Sequence, residues 1–177
     1  MMQDNSMTLI YEEKIMNKLL CAGWKQSSCD DGPGMRSVLF LQGCSMHCPG
    51  CQNSCTHNSR NGQYFSIEEL VAFIIENCRN KKITISGGEP LEQLSSLFVL
   101  IKTLYSYGFD ICLYTGWDYE KVPSVLHNYL KYLKCGHFDV TKMDPNLMYV
   151  GSTNQKIFKN NCGIMEEMNL MLLEECA

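Results

Sequence analysis

Ser37-Val-Leu-Phe-Leu-Gln42 is a nearly unbroken apolar run, and Gly43-Cys44-Ser-Met-His-Cys48-Pro-Gly-Cys51 follows it directly. The run has the length and content of a buried strand, and Gly43 ends it. Cys44 to Gly62 is rich in Cys, Asn, Gly and Ser without periodicity, which makes it a loop. A loop of that length needs a reason to stay ordered, and bound metal supplies one.

Outward from this stretch the chain alternates. Ser66 followed by Glu69 is a capping box that opens a helix to about Asn77. Lys82–Ser86 is a short strand stopped by Gly87-Gly88-Glu89-Pro90. A helix follows from about Gln93 to Tyr107, with Leu94, Leu97, Leu100, Ile101 and Leu104 on one face. Phe109–Tyr114 is the next strand, ended by Thr115-Gly116. Tyr119–Leu133 is expected to be helical with Pro123 in its first turn, Phe138–Thr141 to be a strand, and Met148–Val150 and Gln155–Phe158 to be extended. Short helices are expected at Glu12–Leu20 and Glu166–Glu174. The alternation predicts a parallel α/β sheet. A closed eight-unit barrel needs roughly 250 residues, so the expected fold is an open, partial (β/α) barrel with its site at the C-terminal ends of the strands.

The 177 residues suit a single domain, with the loop at 44–62 and room for a peripheral segment at 1–30. A 45% hydrophobic and 19% charged composition is that of a globular protein. No apolar run approaches the roughly 20 residues of a membrane span, and the first residues lack a signal-peptide pattern, so the expected location is cytoplasmic. A net charge of −4 argues against nucleic acid as the main ligand. The 11 cysteines, an odd number in a chain with no export signal, favour reduced thiols over a disulfide scaffold. Cys78 and Cys112, inside apolar runs, read as small core residues.

Cys44, Cys48 and Cys51 place three thiolates within eight residues of chain. Pro49 and Gly50 let the chain turn back so that they share one site. Soft, anionic thiolates suit iron–sulfur iron, and three of them leave one iron of a 4Fe-4S cluster open to a small molecule. Structural zinc is the competing reading, with His47, Cys55 or His57 as a fourth ligand.

The three-and-two cysteine spacing after a strand resembles the signature of the radical SAM superfamily. Six stretches together resemble the anaerobic ribonucleotide reductase activating proteins within it: Asp31-Gly-Pro-Gly-Met-Arg36, Gly43-Cys44, Cys48-Pro-Gly-Cys51-Gln-Asn53, Ser86-Gly-Gly-Glu-Pro90-Leu91, Tyr114-Thr-Gly116 and Gly151-Ser-Thr-Asn-Gln155. The resemblance implies that the three cysteines carry a 4Fe-4S cluster and that S-adenosylmethionine (SAM) chelates its open iron. Reductive cleavage then gives a 5'-deoxyadenosyl radical, which takes hydrogen from a backbone glycine. It also implies SAM contacts from Asn53, Ser86, Gly87, Gly88, Glu89, Thr115, Gly116 and Asn154. The implied partners are the large anaerobic reductase subunit or another glycyl-radical enzyme, and a flavodoxin- or ferredoxin-like electron donor, with no nucleic acid and no membrane.

Ordinary structure accounts for several of the same residues. Gly87 and Gly88 admit a closely approaching backbone or ligand, Glu89 caps a helix, Asn53 forms an Asx turn, and Thr115-Gly116 is a turn. Asp31-Gly32-Pro33-Gly34 is a tight turn, with Arg36 placed to pair with an acid. The chain departs from the family pattern at Met46-His47, where histidine comes one position late, and at His137-Phe-Asp-Val-Thr-Lys142. The leading expectation is an enzyme that installs a glycyl radical. The alternatives are a radical SAM enzyme for a peptide or pterin-like molecule, and a non-catalytic binding module stabilised by metal.

Overall fold

The computed structural model describes residues 17–169. Its strands are β1 (Lys18–Ser28), β2 (Arg36–Leu41), β3 (Gln63–Ser66), β4 (Lys82–Gly87), β5 (Asp110–Tyr114), β6 (Tyr132–Cys135), β7 (Lys156–Asn161) and β8 (Ile164–Glu167). The helices are α1 (Ile67–Asn77) and α2 (Leu94–Ser106). One sheet runs β3-β1-β2-β4-β5-β6-β7-β8. The four central strands, β2-β4-β5-β6, are parallel, and an antiparallel pair flanks each side. This is the open, partial β/α barrel expected from the alternation.

Register gives the parallel strands two unlike faces. Leu39, Ile85, Leu113 and Leu133 form one row and share a buried cluster with Leu70 and Ile74 of α1 and Leu97, Leu100, Ile101 and Leu104 of α2. α1 starts where the sequence places it, because Ser66 Oγ accepts from Glu69 N (3.2 Å) and Glu69 Oε2 accepts from Ser66 N (2.8 Å).

The opposite face carries Val38, Thr84, Cys112 and Tyr132 in one row, with the Phe40↔Ser86 and Tyr114↔Lys134 pairs above it. Its lower part is plugged. Arg36, fully buried, donates to Thr84 Oγ1 (3.0 Å), Pro33 O (3.2 Å), Ile83 O (2.9 Å), Asp110 O (2.7 Å) and Asp110 Oδ1 (2.8 Å). Thr84 Oγ1 in turn donates to Asp31 O at 2.5 Å, pinning the Asp31–Gly34 turn across the sheet. Gly32, at φ +118°, has Arg36, Thr84 and Cys112 side chains 3.2–3.3 Å from where a Cβ would stand, so a larger residue has no room.

Several expectations are corrected. Tyr119–Leu133 is not a helix: it forms short 3-10 turns at Tyr119–Lys121 and Ser124–Asn128 and enters β6 at Tyr132. Pro123, with ψ 120°, breaks any continuous helix, and Lys131 N bonds Ile111 O (2.8 Å), drawing the chain into the sheet. The periodic Val122, Leu126 and Leu130 are nonetheless core residues. Phe138–Thr141 is not a strand, because Asp139 Oδ1 accepts from Thr141 N (3.0 Å) and caps a turn over Val140–Lys142. Met148–Val150 joins no strand, whereas Gln155–Phe158 falls largely in β7.

The sequence reading did not anticipate β1, β3 or β8. Lys18–Leu20, expected to be helical, begins β1, so residues 18–28 of the supposed peripheral segment lie within the sheet. Trp24 of β1 packs edge-on against Phe73 of α1 at 5.3 Å. Glu166 and Glu167 end β8, and Met168 and Asn169 follow it without helix; positions 12–16 and 170–174 lie outside the described residues.

Candidate functional site

The C-terminal ends of β2, β4, β5 and β6 open into a cavity of about 560 Å³. Cys44, Cys48, Cys51, Asn53, Ser86, Gly87, Gly88, Glu89, Thr115 and Gly116, all singled out in the sequence, line it. Asn154 does not: its Nδ2 donates to His137 O (2.9 Å), and Gln155 reaches the cavity instead. Cys55 is exposed and outside the lining, while His57 is within it.

The cysteine loop is fastened at its root. Gly43 N bonds Thr56 O (2.7 Å) and Cys44 N bonds His57 O (3.1 Å), so the loop returns alongside its own start. Buried Gln42 donates to Cys55 O (3.1 Å) and Asn58 O (2.8 Å). Gln93 Nε2 donates to Gln42 O and Leu20 O (both 3.1 Å), joining the loop to β1 and to the start of α2. Glu92 Oε1 accepts from Ser45 N (2.9 Å) and Ser45 Oγ (2.6 Å). At the tip, Gly50 has φ +74° and lies against Val140 and Phe138, the segment in which this chain departs from the family pattern.

Gly87 and Gly88 approach backbone, and the backbone is the loop's own. A Cβ on Gly87 would stand 2.3 Å from Leu41 O, and one on Gly88 would stand 2.1 Å from Gly43 O. Gly88 N bonds Leu41 O and Glu89 N bonds Gly43 O, each at 2.8 Å. The missing side chains let the end of β4 close onto the end of β2 and the root of the cysteine loop, and both glycines line the cavity.

Glu89, 1% exposed, accepts at Oε1 from Leu91 N (2.9 Å) and Thr115 Oγ1 (2.7 Å), and at Oε2 from Gly116 N (2.8 Å). It therefore caps the turn at Pro90 and also bridges the ends of β4 and β5. Burial raises its pKa, while those three donors oppose the rise. Met46 Sδ lies 2.5 Å from where a Gly116 Cβ would stand, so the methionine in the family's histidine neighbourhood packs over the end of β5. Asn53 makes no capping bond with its side chain, which removes the Asx-turn account of it.

Burial raises the Cys44 thiol pKa, with the Met46 and His47 amides pulling it down and Glu92 and Glu89 pushing it up. Loading a metal there must displace that proton. Among the described residues no three His, Cys, Asp or Glu side chains converge on a single metal-holding point. The three thiols are half-buried around one cavity. Tyr114 OH is buried there without a hydrogen-bond partner, and burial raises its pKa well above the ordinary value. Soft donors, an orphaned polar atom and a cavity of cofactor size fit a thiolate-held cluster with a bound small molecule.

A family profile described as a 4Fe-4S single cluster domain matches residues 30–158. The anaerobic ribonucleoside-triphosphate reductase-activating protein of Enterobacteria phage T4 is 32% identical over 147 residues, covering 77% of this chain and 92% of that protein. The chain belongs to the radical SAM family of glycyl-radical-enzyme activases. Other members include the reductase-activating protein of Escherichia coli K12, 30% identical over 72% of this chain and 90% of that one. The pyruvate formate-lyase-activating enzyme of Clostridium pasteurianum is 33% identical over 62% of this chain and 49% of its own length. Among solved structures, QueE from Escherichia coli superposes with a TM-score of 0.48 at 20% identity, covering 64% of this chain and 57% of that one. No helix among the described residues is long and apolar enough to cross a membrane.

Sequence reasoning missed Gln42, Gln93, Glu92 and Lys134, whereas Tyr114 and Gln155 stand in two of the stretches that carry the family resemblance. Gln42 carried a signal, being the amide that ends an apolar strand. Gln93, Glu92 and Lys134 act between segments distant in sequence and had none.

Proposed function

We propose that this chain is the activase of an anaerobic ribonucleotide reductase, with Cys44, Cys48 and Cys51 as ligands of a 4Fe-4S cluster and SAM bound between the cysteine loop and the ends of β4 and β5. The observation that carries the reading is the placement of the three thiols on one cavity with Ser86–Glu89 and Thr115–Gly116. The match to the phage T4 activating protein over 92% of that protein, against 49% for the pyruvate formate-lyase-activating enzyme, supports the reductase as partner.

A cluster held by Cys44, Cys48 and Cys51 would supply the one-electron chemistry that cleaves SAM and leads to hydrogen removal from glycine. The chain's own residues hold and orient. Gln42, Gln93 and Glu92 fix the root of the cysteine loop. Glu89, although its carboxylate already accepts three bonds, keeps lone-pair capacity at Oε2 for the methionyl ammonium. Thr115 and Gly116, held by Glu89, present the end of β5 to the nucleoside side.

Anaerobic reconstitution tests the cluster: one 4Fe-4S cluster per chain is expected, lost on Cys44→Ala, Cys48→Ala or Cys51→Ala and kept on Cys55→Ala. Equal dependence on Cys55 overturns the ligand set. Mixing the reduced protein with SAM and the reductase from the same genome tests the partner. A paramagnetic doublet on the reductase is expected, collapsing when its glycine is deuterated at the α-carbon. 5'-Deoxyadenosine without that signal overturns the assignment, and transfer to a pyruvate formate-lyase-type enzyme instead relocates it.

A further inference from the structure

One cation at the cavity has no role in the reading above. Lys134, half-buried, lines the cavity from β6 beside Tyr114 of β5. Its ammonium lies 5.4 Å from the Tyr114 ring centroid and makes no hydrogen bond or ion pair with any described residue. The neighbouring carboxylate, Glu89, accepts from Leu91, Thr115 and Gly116 and makes no ion pair with the ammonium. A partly desolvated cation without an anion beside it is costly to keep. Burial accordingly pulls the Lys134 pKa down to about 8, while Cys135, Glu89, Cys51 and Cys48 act on it in the opposite sense. Two of those four are proposed cluster ligands.

We propose that Lys134 is the fixed counter-cation of the cluster site at Cys44, Cys48 and Cys51, and that its charge raises the reduction potential there. The inference rests on the cluster assignment above. In the step concerned, one electron passes from an external low-potential donor, a reduced flavodoxin- or ferredoxin-class protein or dithionite in vitro, to the cluster. The donor is oxidised by one electron and the cluster is reduced by one. No bond forms or breaks and no proton moves. The site gains one negative charge, and a half-buried cation lining the same cavity stabilises that gain more than water-screened surface charge does. Tyr114 supports the ammonium with its ring face in place of a competing carboxylate, so the positive charge stays uncancelled until the cluster is present.

The test is a redox titration of the reconstituted protein without SAM, followed by electron paramagnetic resonance, after iron and sulfide analysis establishes equal cluster content. In Lys134→Met the ratio of reduced to oxidised cluster at a fixed potential is expected to fall about tenfold, a shift of about 59 mV for one electron. Lys134→Arg, which keeps the charge, is expected to titrate with the wild type. A Met variant that titrates with the wild type overturns the proposal. So does one whose potential is unmoved while its calorimetric SAM affinity falls, because the ammonium then serves the ligand's carboxylate. If the Met variant assembles no cluster, Lys134→Gln is titrated in its place, and an unmoved potential counts equally against the proposal. A wild-type protein without labile sulfide overturns the cluster assignment, and this inference with it.

Discussion

The two faces of the parallel sheet are built from alternate residues of the same four strands and have opposite uses. Under α1 and α2, Leu39, Ile85, Leu113 and Leu133 make a continuous apolar layer. On the other face the same strands present Thr84, Ser86, Cys112, Tyr114, Tyr132 and Lys134, over a buried arginine below and an open cavity above. One face supplies stability by area. The other holds polar groups in place at the cost of orphaned atoms such as Tyr114 OH. In a period-two strand both demands are written into one short run, which is why apolar content locates the strands while saying little about the site.

Truncation on the apolar face is the strongest way to break this contrast. Leu113→Ala is expected to lower stability by about 2–5 kcal/mol, read by denaturant unfolding, with iron content per folded chain unchanged. Lost iron in a fully folded variant would mean that the faces are not separable. Arg36→Met probes the lower part of the polar face and should cost about 3 kcal/mol, because it strands the carbonyls of Ile83 and Asp110. The low end of the usual range applies since the Asp110 side chain is 29% exposed and water can replace part of its partner. Thermal unfolding measures it, and a neutral result would show that the plug is dispensable.

Gly88→Ala sharpens the boundary between the two uses. Its Cβ would meet Gly43 O at 2.1 Å, so a cost of about 1–3 kcal/mol is expected. Iron retention and SAM affinity should fall together, since the strain falls on the cysteine loop itself. Calorimetry showing lost SAM affinity with full iron content would instead restore a ligand-clamp role for the glycine.

The smallest effect is the pH dependence of Glu89. Its folded pKa is raised above the ordinary 4.5 by burial. Between the ordinary and raised values the folded state holds a proton that the unfolded state has released. Stability therefore falls as pH rises through that interval, and the penalty is complete above the raised value. Subtracting the unfolding curve of Glu89→Gln, measured across the same pH series, isolates this component. A difference that grows in the opposite sense would show that the three donors outweigh burial.

The same contrast explains what the sequence disclosed. Ser37–Gln42, Lys82–Ser86 and Phe109–Tyr114 were legible because both faces of those strands are largely free of charge, and the capping box at Ser66 and Glu69 is local chemistry. β6 was hidden: Tyr132-Leu-Lys-Cys135 continues the apolar spacing of Val122, Leu126 and Leu130, so a helical period ran into a strand whose partner is far away in sequence. β1 and β3 were missed because neither alternates cleanly: β3, at the sheet edge, has no buried residue, and β1 has two bulge-like register shifts opposite β2. The three cysteines were legible by spacing. Asn154 was not distinguishable from Gln155, because only the fold decides which of two adjacent amides faces inward.

The Arg36 network also bears on how the chain reaches this state. Its acceptors lie 3, 47, 48 and 74 positions along the chain. A guanidinium at the start of β2 cannot be satisfied by pairing β2 with β4 alone; it also needs Asp110, at the start of β5. Any partly folded chain that has docked two of these strands without the third carries a desolvated, half-paired cation, and this penalises stopping there. The network thus couples the docking of β2, β4 and β5, the three strands whose ends carry the cysteine loop, Ser86–Glu89 and Thr115–Gly116.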